Sequence, residues 1–223
     1  MVKVLTFLKR KPEMSVEDFQ RYWLTRHPDV VTRLPGVRRY VQSHTLPSAY
    51  KRGEPVYDGI AEVWADDTDA LRAMARSPQN AAVRADEAEF IDRERMGIIV
   101  TEDHAVVDGA AGPDAVKAIE FLSRRPSSSI EDFQRHWREA HGALLARIPG
   151  LARCVLSATR RSAYEAGRTP AHDGATLMWF GTPDALRAAA GSAEYKAAVA
   201  DRPNFLAPGE PPFIVTREHV IVA

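Results

Sequence analysis

Two histidines close near-identical phrases: "EDFQRYWLTRH" ends at His27 and "EDFQRHWREAH" ends at His141. An imidazole titrates near 6.5, so it can accept and return a proton at neutral pH. Each lies four residues after a tryptophan, Trp23 or Trp137, on the apolar side of a helical repeat, and so points toward a sheet. A general acid/base at a pocket wall is one reading; a core histidine bonded to backbone is the plainer one. The strand that follows adds Tyr40, Gln42 and His44, which alternation places on one face, with Arg39, Val41 and Ser43 on the other. The corresponding positions in the second phrase's strand are Cys154, Leu156 and Ala158, and Glu62 is matched by Leu177. A polar face in one copy and an apolar face in the other imply divided labour, with one working pocket in the N-terminal half. The competing expectation is that this face is solvent-exposed in the first copy and covered in the second.

Other side chains have two readings each. Asp58 and Asp173 precede glycine, which fits turn chemistry or, for Asp58, a carboxylate that orients His27. Asp86 and Asp201 either line a pocket mouth or cap a helix. Trp64 and Trp179 recur, which favours packing, although Trp64 is also placed with Trp23, Gln42, Glu62, Asp86 and Phe90 as a substrate contact. Arg39 and Arg153 are stems on the sheet or contacts to an anion. His104 and His219 read as structural or interfacial. Cys154, the single cysteine, reads as a small buried hydrophobe. No HxxxH, HExxH or CxxC spacing suggests a metal, and no phosphate loop, dinucleotide fingerprint or nucleophile elbow is present. The expectation is therefore no metal and no cofactor.

The elements that must position these residues occur twice. "VKVLTFLKRKP" at Val2 matches "VKAIEFLSRRP" at Val116, and "RLPGVRRYVQS" at Arg33 matches "RIPGLARCVLS" at Arg147. "YDGIAEVW" matches "HDGATLMW", "DALRA" recurs at Asp69 and Asp184, and "VTEDHAVV" matches "VTREHVIV". This is a tandem duplication. A first module is expected over residues 1–108, a linker "GAAGPDA" over 109–115, and a second module over 116–223. Each reads as strand, helix, strand, strand, helix, strand. Ser15 and Ser129 cap the first helices, whose buried stripes run Val16, Phe19, Trp23, His27, Val30 and Ile130, Phe133, Trp137, His141, Leu144. Pro35-Gly36 and Pro149-Gly150 turn the chain into the second strand, and Thr182-Pro183 and Ser77-Pro78 start helices. The fold class is α+β, two ferredoxin-like βαββαβ units whose sheets cover one another.

Composition bounds the rest. In 223 residues, 30 bases balance 30 acids, so no net field draws the chain to nucleic acid or an anionic membrane. No apolar run reaches a membrane span, and the N-terminal stretch lacks the pattern of a signal peptide; a cytoplasmic protein acting on a small molecule is expected.

"FQRYW", "RHPDVVTRLPGVRRYVQSH", "YDGIAEVWADDTDALRAMARSP" and "DEAEF" together resemble the EthD family of the dimeric α+β barrel superfamily, once per half. The second half keeps Asp201 and Phe205 but has "ARC" where the first has "RRY". The resemblance implies a barrel of two face-to-face sheets, built here within one chain as a pseudo-dimer, with a homodimer also open. It implies small enzymes without metal or organic cofactor, such as isomerases, dehydratases and decarboxylases, in which a histidine and a tyrosine matching His27 and Tyr40 face the substrate. On that basis His27, Tyr40, His44 and Asp58 are the catalytic candidates for proton transfer on an aromatic, lactone or polyketide-like metabolite. The alternatives are a non-catalytic module holding a hydrophobic ligand, and a monooxygenase, cofactor-free or haem-dependent.

Overall fold

The computed structural model describes residues 1–223, a mixed α/β chain of eight strands in antiparallel pairs, with helices, in two compact units. The elements in chain order are β1 (Val2–Leu8), α1 (Val16–Thr25), α2 (Pro28–Val31), β2 (Arg39–Thr45), β3 (Gly59–Ala65), α3 (Thr68–Arg76), α4 (Pro78–Phe90) and β4 (Gly97–Val107). They are followed by β5 (Val116–Leu122), α5 (Ile130–His136), α6 (Gly142–Leu145), β6 (Leu151–Thr159), α7 (Arg161–Glu165), β7 (Gly174–Phe180), α8 (Pro183–Gly191), α9 (Ala193–Asp201) and β8 (Phe213–Val222).

The compact units are Met1–Val100 with Thr216–Ala223, and Thr101–Val215, so their boundaries fall inside β4 and β8 and differ from the sequence repeat at 108 and 116. Pairing explains this. In the first unit β3 lies between β1 and β2, and β2 takes the C-terminal end of β8 as its other neighbour, from Thr45 opposite Thr216 to Tyr40 opposite Val222. In the second, β7 lies between β5 and β6, and β6 pairs with the end of β4, from Thr101 opposite Thr159 to Val107 opposite Cys154.

Helix starts follow the sequence signals. The Ser15 and Ser129 hydroxyls accept from the backbone N–H of Asp18 and Asp132, and Thr182 and Ser77 cap helices that open on proline. Gly36 and Gly150 take positive φ, +79° and +73°, as their Pro-Gly turns require. The stripe of α1 buries Phe19 and Trp23 completely against Tyr40, Ala61, Val83 and Phe90. The stripe continues past the helix, because Pro28 has no N–H and α1 ends at Thr25; His27 sits in the bend before α2.

Gly59, expected to serve a turn, has another purpose. A Cβ there would lie 2.5 Å from the Ser43 carbonyl oxygen and 2.5 Å from Cζ3 of Trp23, and at Gly174 it would lie 2.7 Å from Trp137. Each glycine lets a tryptophan rest on the strand. Gly59→Ala is expected to cost on the order of 3 kcal/mol, read as a lowered urea midpoint, since fixed backbone and a buried ring cannot both yield.

Candidate active site of the first unit

His27 is 5% exposed, and its Nδ1 lies 2.6 Å from Oδ2 of Asp86 on α4. The other oxygen of Asp86 accepts from the Tyr22 hydroxyl at 2.8 Å. A carboxylate can only accept, so Nδ1 carries the proton and Nε2 holds the lone pair of a base. Burial pulls His27 below the usual imidazole range while Asp86 opposes that pull. The Phe90 ring meets it edge-on at 5.0 Å between centroids.

Beneath α1 lies a line of polar side chains on β2. Gln42 donates from Nε2 to the Trp23 carbonyl at 2.8 Å and to the Tyr40 hydroxyl oxygen at 2.8 Å. Because a main-chain carbonyl only accepts, the amide has one orientation, and its Oε1 faces His44 Nε2 at 2.9 Å. His44 therefore carries its proton on Nε2 and its lone pair on Nδ1. Its ring stacks on Trp23 at 4.2 Å and meets His219 edge-on at 4.6 Å. Burial, with a smaller push from His219, holds His44 down at about 3, while burial drives the Tyr40 hydroxyl up. Tyr40 and Gln42 are 0% exposed, so the expectation of a solvated face in the first copy does not hold; Cys154, Leu156 and Ala158 are buried too. The thiol of Cys154 is pushed up to about 12 by burial, which leaves it a hydrophobe.

The neutral state of His44 has a thermodynamic consequence. A histidine held below its unfolded value binds fewer protons folded than unfolded, so its stabilisation is complete above about pH 6.5 and drains away as pH falls toward about 3. Replacing Gln42 and His44 by the leucine and alanine of the second copy is expected to shrink the stability difference between pH 7 and 4.5, in urea unfolding, by about 2–3 kcal/mol. An unchanged difference would mean that His44 is not the group titrating.

The carboxylate at His27 is Asp86, and Asp58 lies elsewhere. Asp58, 0% exposed, accepts from the Arg10 backbone N–H at 2.9 Å and the Tyr50 hydroxyl at 2.6 Å, pairs with the Arg10 guanidinium, and lies 3.2 Å from Lys9 Nζ. Glu62 and Trp64 face the other side of the sheet from Tyr40, as the register of Val41 opposite Glu62 requires. There Lys3 and Glu62 form an ion pair at 3.2 Å, and Lys3 and Arg39 lie over the Trp64 ring. The structure thus gathers His27, Asp86, Phe90, Trp23, Tyr40, Gln42 and His44 between helix and sheet, and leaves Asp58, Glu62 and Trp64 outside that group.

In the second unit His141 Nδ1 lies 2.9 Å from Asp201, and His136, in the position of Tyr22, reaches the same carboxylate at 3.0 Å. Sequence reading missed Tyr22; the signal was a ring donor, Tyr22 or His136, at the same place in both phrases. Tyr22 also walls a surface groove of about 670 Å³ with Lys11, Met14, Arg21, Arg26 and Glu89, so one phenol joins the groove to the Asp86–His27 pair.

Eight strands in antiparallel pairs, accompanied by helices and assembled from a duplicated strand-helix pattern, define the class as mixed α/β with repeated modules. The EthD domain model matches residues 11–94 and again 125–209, and the chain belongs to the EthD family. Among solved structures, an anthrone oxidase-like protein matches over 100% of this chain and 94% of its own, at TM-score 0.67 and 13% identity. A candidate monooxygenase from Lactobacillus acidophilus NCFM matches over 98% and 94%, at TM-score 0.59 and 9% identity. An ethyl tert-butyl ether d (EthD) family protein from Bacillus halodurans C-125 matches over 46% of this chain and 97% of its own, at TM-score 0.39 and 20% identity. No curated protein matches the chain. No helix is long and apolar enough to cross a membrane.

Proposed function

We propose that the protein is a cofactor-independent enzyme that moves protons on a small aromatic, lactone or polyketide-like metabolite, by isomerisation, dehydration or decarboxylation. One observation carries this reading. Both units hold a histidine on an acid, but only the first sets beneath it the polar line Tyr40, Gln42 and His44. In this reading His27 removes or relays the proton through Nε2, and Asp86, in place of Asp58, fixes its tautomer. Tyr40, whose oxygen already accepts from Gln42, turns its O–H toward the substrate oxygen that gains charge. His44 accepts through Nδ1, and Trp23 and Phe90 hold the apolar body. We also propose that two ferredoxin-like modules close into one barrel as a monomeric pseudo-dimer; the strand order β1-β3-β2-β8-β5-β7-β6-β4 supports this.

The test is a panel of aromatic lactones and polyketide-like ketones incubated with the protein in deuterated water. Deuterium entering the enolisable carbon, by mass spectrometry, is expected. A ligand that binds tightly without exchange would replace the enzyme by a binding module. Oxygen uptake with any of them would favour oxygenation, the activity in the name of the Lactobacillus protein above; a Soret band on the purified protein would make that haem-dependent.

A further inference from the structure

Four arginines bury the Nε of their guanidinium without a hydrogen-bond partner: Arg39, Arg124, Arg138 and Arg153. Three have other company. Arg39 and Arg153 lie over Trp64 and Trp179, and Arg124 donates to the Ser128 carbonyl at 2.6 Å beside Asp173. Arg138 has no ring, no acid and no carbonyl. An N–H taken out of water and left unmatched is destabilising, and an incoming acceptor would recover that loss.

The backbone under Arg138 is also unusual. Trp137–His141 is a π-helical turn, closed by the Gly142 N–H on the Trp137 carbonyl. The first unit cannot build this turn, because Pro28 stands at the position of Gly142 and has no N–H to give. It also has Leu24 and Leu46 where the second unit has Arg138 and Arg160. The difference is one of chemistry as well as shape.

Arg138 lines a groove of about 500 Å³ with Gln134, Ala158, Arg160, Arg161 and Glu165. Two of these cations are already matched: Arg160 to Glu102 at 3.0 Å, and Arg161 to Glu131. Gln134 spends its amide N–H on the Thr159 carbonyl at 2.9 Å. One free guanidinium remains, and the exposed Glu139 and Glu165 stand at the same groove. Arg135, also at the groove, is paired to Asp132, so two unmatched acids face one unmatched guanidinium. Their repulsion grows with ligand charge and is least for a single negative charge held directly on Arg138.

We propose that this groove of the second unit binds a small monocarboxylate, its two oxygens lying side-on to Nε and one Nη of Arg138. A side-on guanidinium offers two parallel N–H groups at the spacing of a carboxylate. The proposal stands apart from the proton-transfer reading of the first unit.

Benzoate is the probe, with benzamide as its neutral isostere and inorganic phosphate as the multiply charged competitor, titrated into the full chain by calorimetry and by NMR of arginine Nε–H. Saturable benzoate binding that shifts the Arg138 Nε–H resonance is expected, with benzamide inert and phosphate weaker. Arg138→Leu installs the residue of the first unit and should weaken benzoate at least tenfold. Arg138→Lys, which keeps the charge but loses the paired donors, should fall between, and it decides the matter if the leucine variant unfolds. Unchanged affinity in Arg138→Leu or Arg138→Lys, no saturable binding to the wild type, equal binding of benzamide, or tighter binding of phosphate would each overturn the assignment.

Discussion

Asp58→Ala is expected to lower the unfolding free energy by about 3–5 kcal/mol, read from urea unfolding at neutral pH. The carboxylate is wholly buried against two cations, Lys9 and Arg10, and the Tyr50 hydroxyl. Lys9 is itself 2% exposed and also reaches Glu54 at 2.5 Å and the Pro55 carbonyl at 2.7 Å. Removing the acid leaves positive charge in a place water cannot reach, and that residual charge sets the loss. Asp173→Ala gives the internal comparison. Asp173 accepts from the Arg124 N–H at 2.8 Å and the Tyr164 hydroxyl at 2.6 Å, but serine stands where Lys9 would be and the Arg124 side chain is partly exposed. Its loss should be about 1–3 kcal/mol. An Asp58→Ala protein of unaltered stability would return Asp58 to the list of reacting groups.

His27→Ala is expected to reduce turnover of any substrate found in the deuterium screen by about 10²–10⁴-fold, the range of a lost general base, while His141→Ala stays within a few-fold. Circular dichroism and thermal unfolding must show both variants folded; His27→Gln serves where alanine fails. Equal losses at the two histidines would end the one-pocket reading. The pH profile adds a sign. A base must be unprotonated to act, and His27 lies below its ordinary value, so the acid limb of kcat/KM falls below about pH 6.5. Asp86 raises the His27 pKa, so Asp86→Asn should move that limb to lower pH while reducing the plateau. A limb that stays in place would show that His27 is not the titrating base.

Much of the fold was legible because it was written twice. Repeated Pro-Gly pairs, serine caps and tryptophans constrained each element from two directions, and Ser15, Ser77, Ser129 and Thr182 all stand at the helix ends they signalled. The face of β2 was legible as a set, since alternation alone joins Tyr40, Gln42 and His44. Which acid meets His27 was not. Asp58 and Asp86 are both distant along the chain, and nothing in spacing says that α4 returns its penultimate turn to the bend before α2. Asp58 looked like turn chemistry because its partners, Lys9, Arg10 and Tyr50, come from separate segments. Gly59 likewise gave no hint that it makes room for an indole. Each of these is a tertiary contact, and periodicity reports only on a residue's own element.

The exchange of strand ends has a meaning for how the chain reaches its folded state. The first unit takes its outer strand from Thr216–Ala223, the last residues of this sequence, so β2 keeps an unpaired edge until those residues arrive. Ordering it requires closing a loop of most of the chain, which slows folding relative to a self-contained module. In that interval an open row of N–H and carbonyl groups along Arg39–Thr45 is a template for the wrong strand. A chain that pairs β2 with residues so far along the sequence leaves its N-terminal half incomplete until they are made, and a ribosome or a protease would meet that half unfinished.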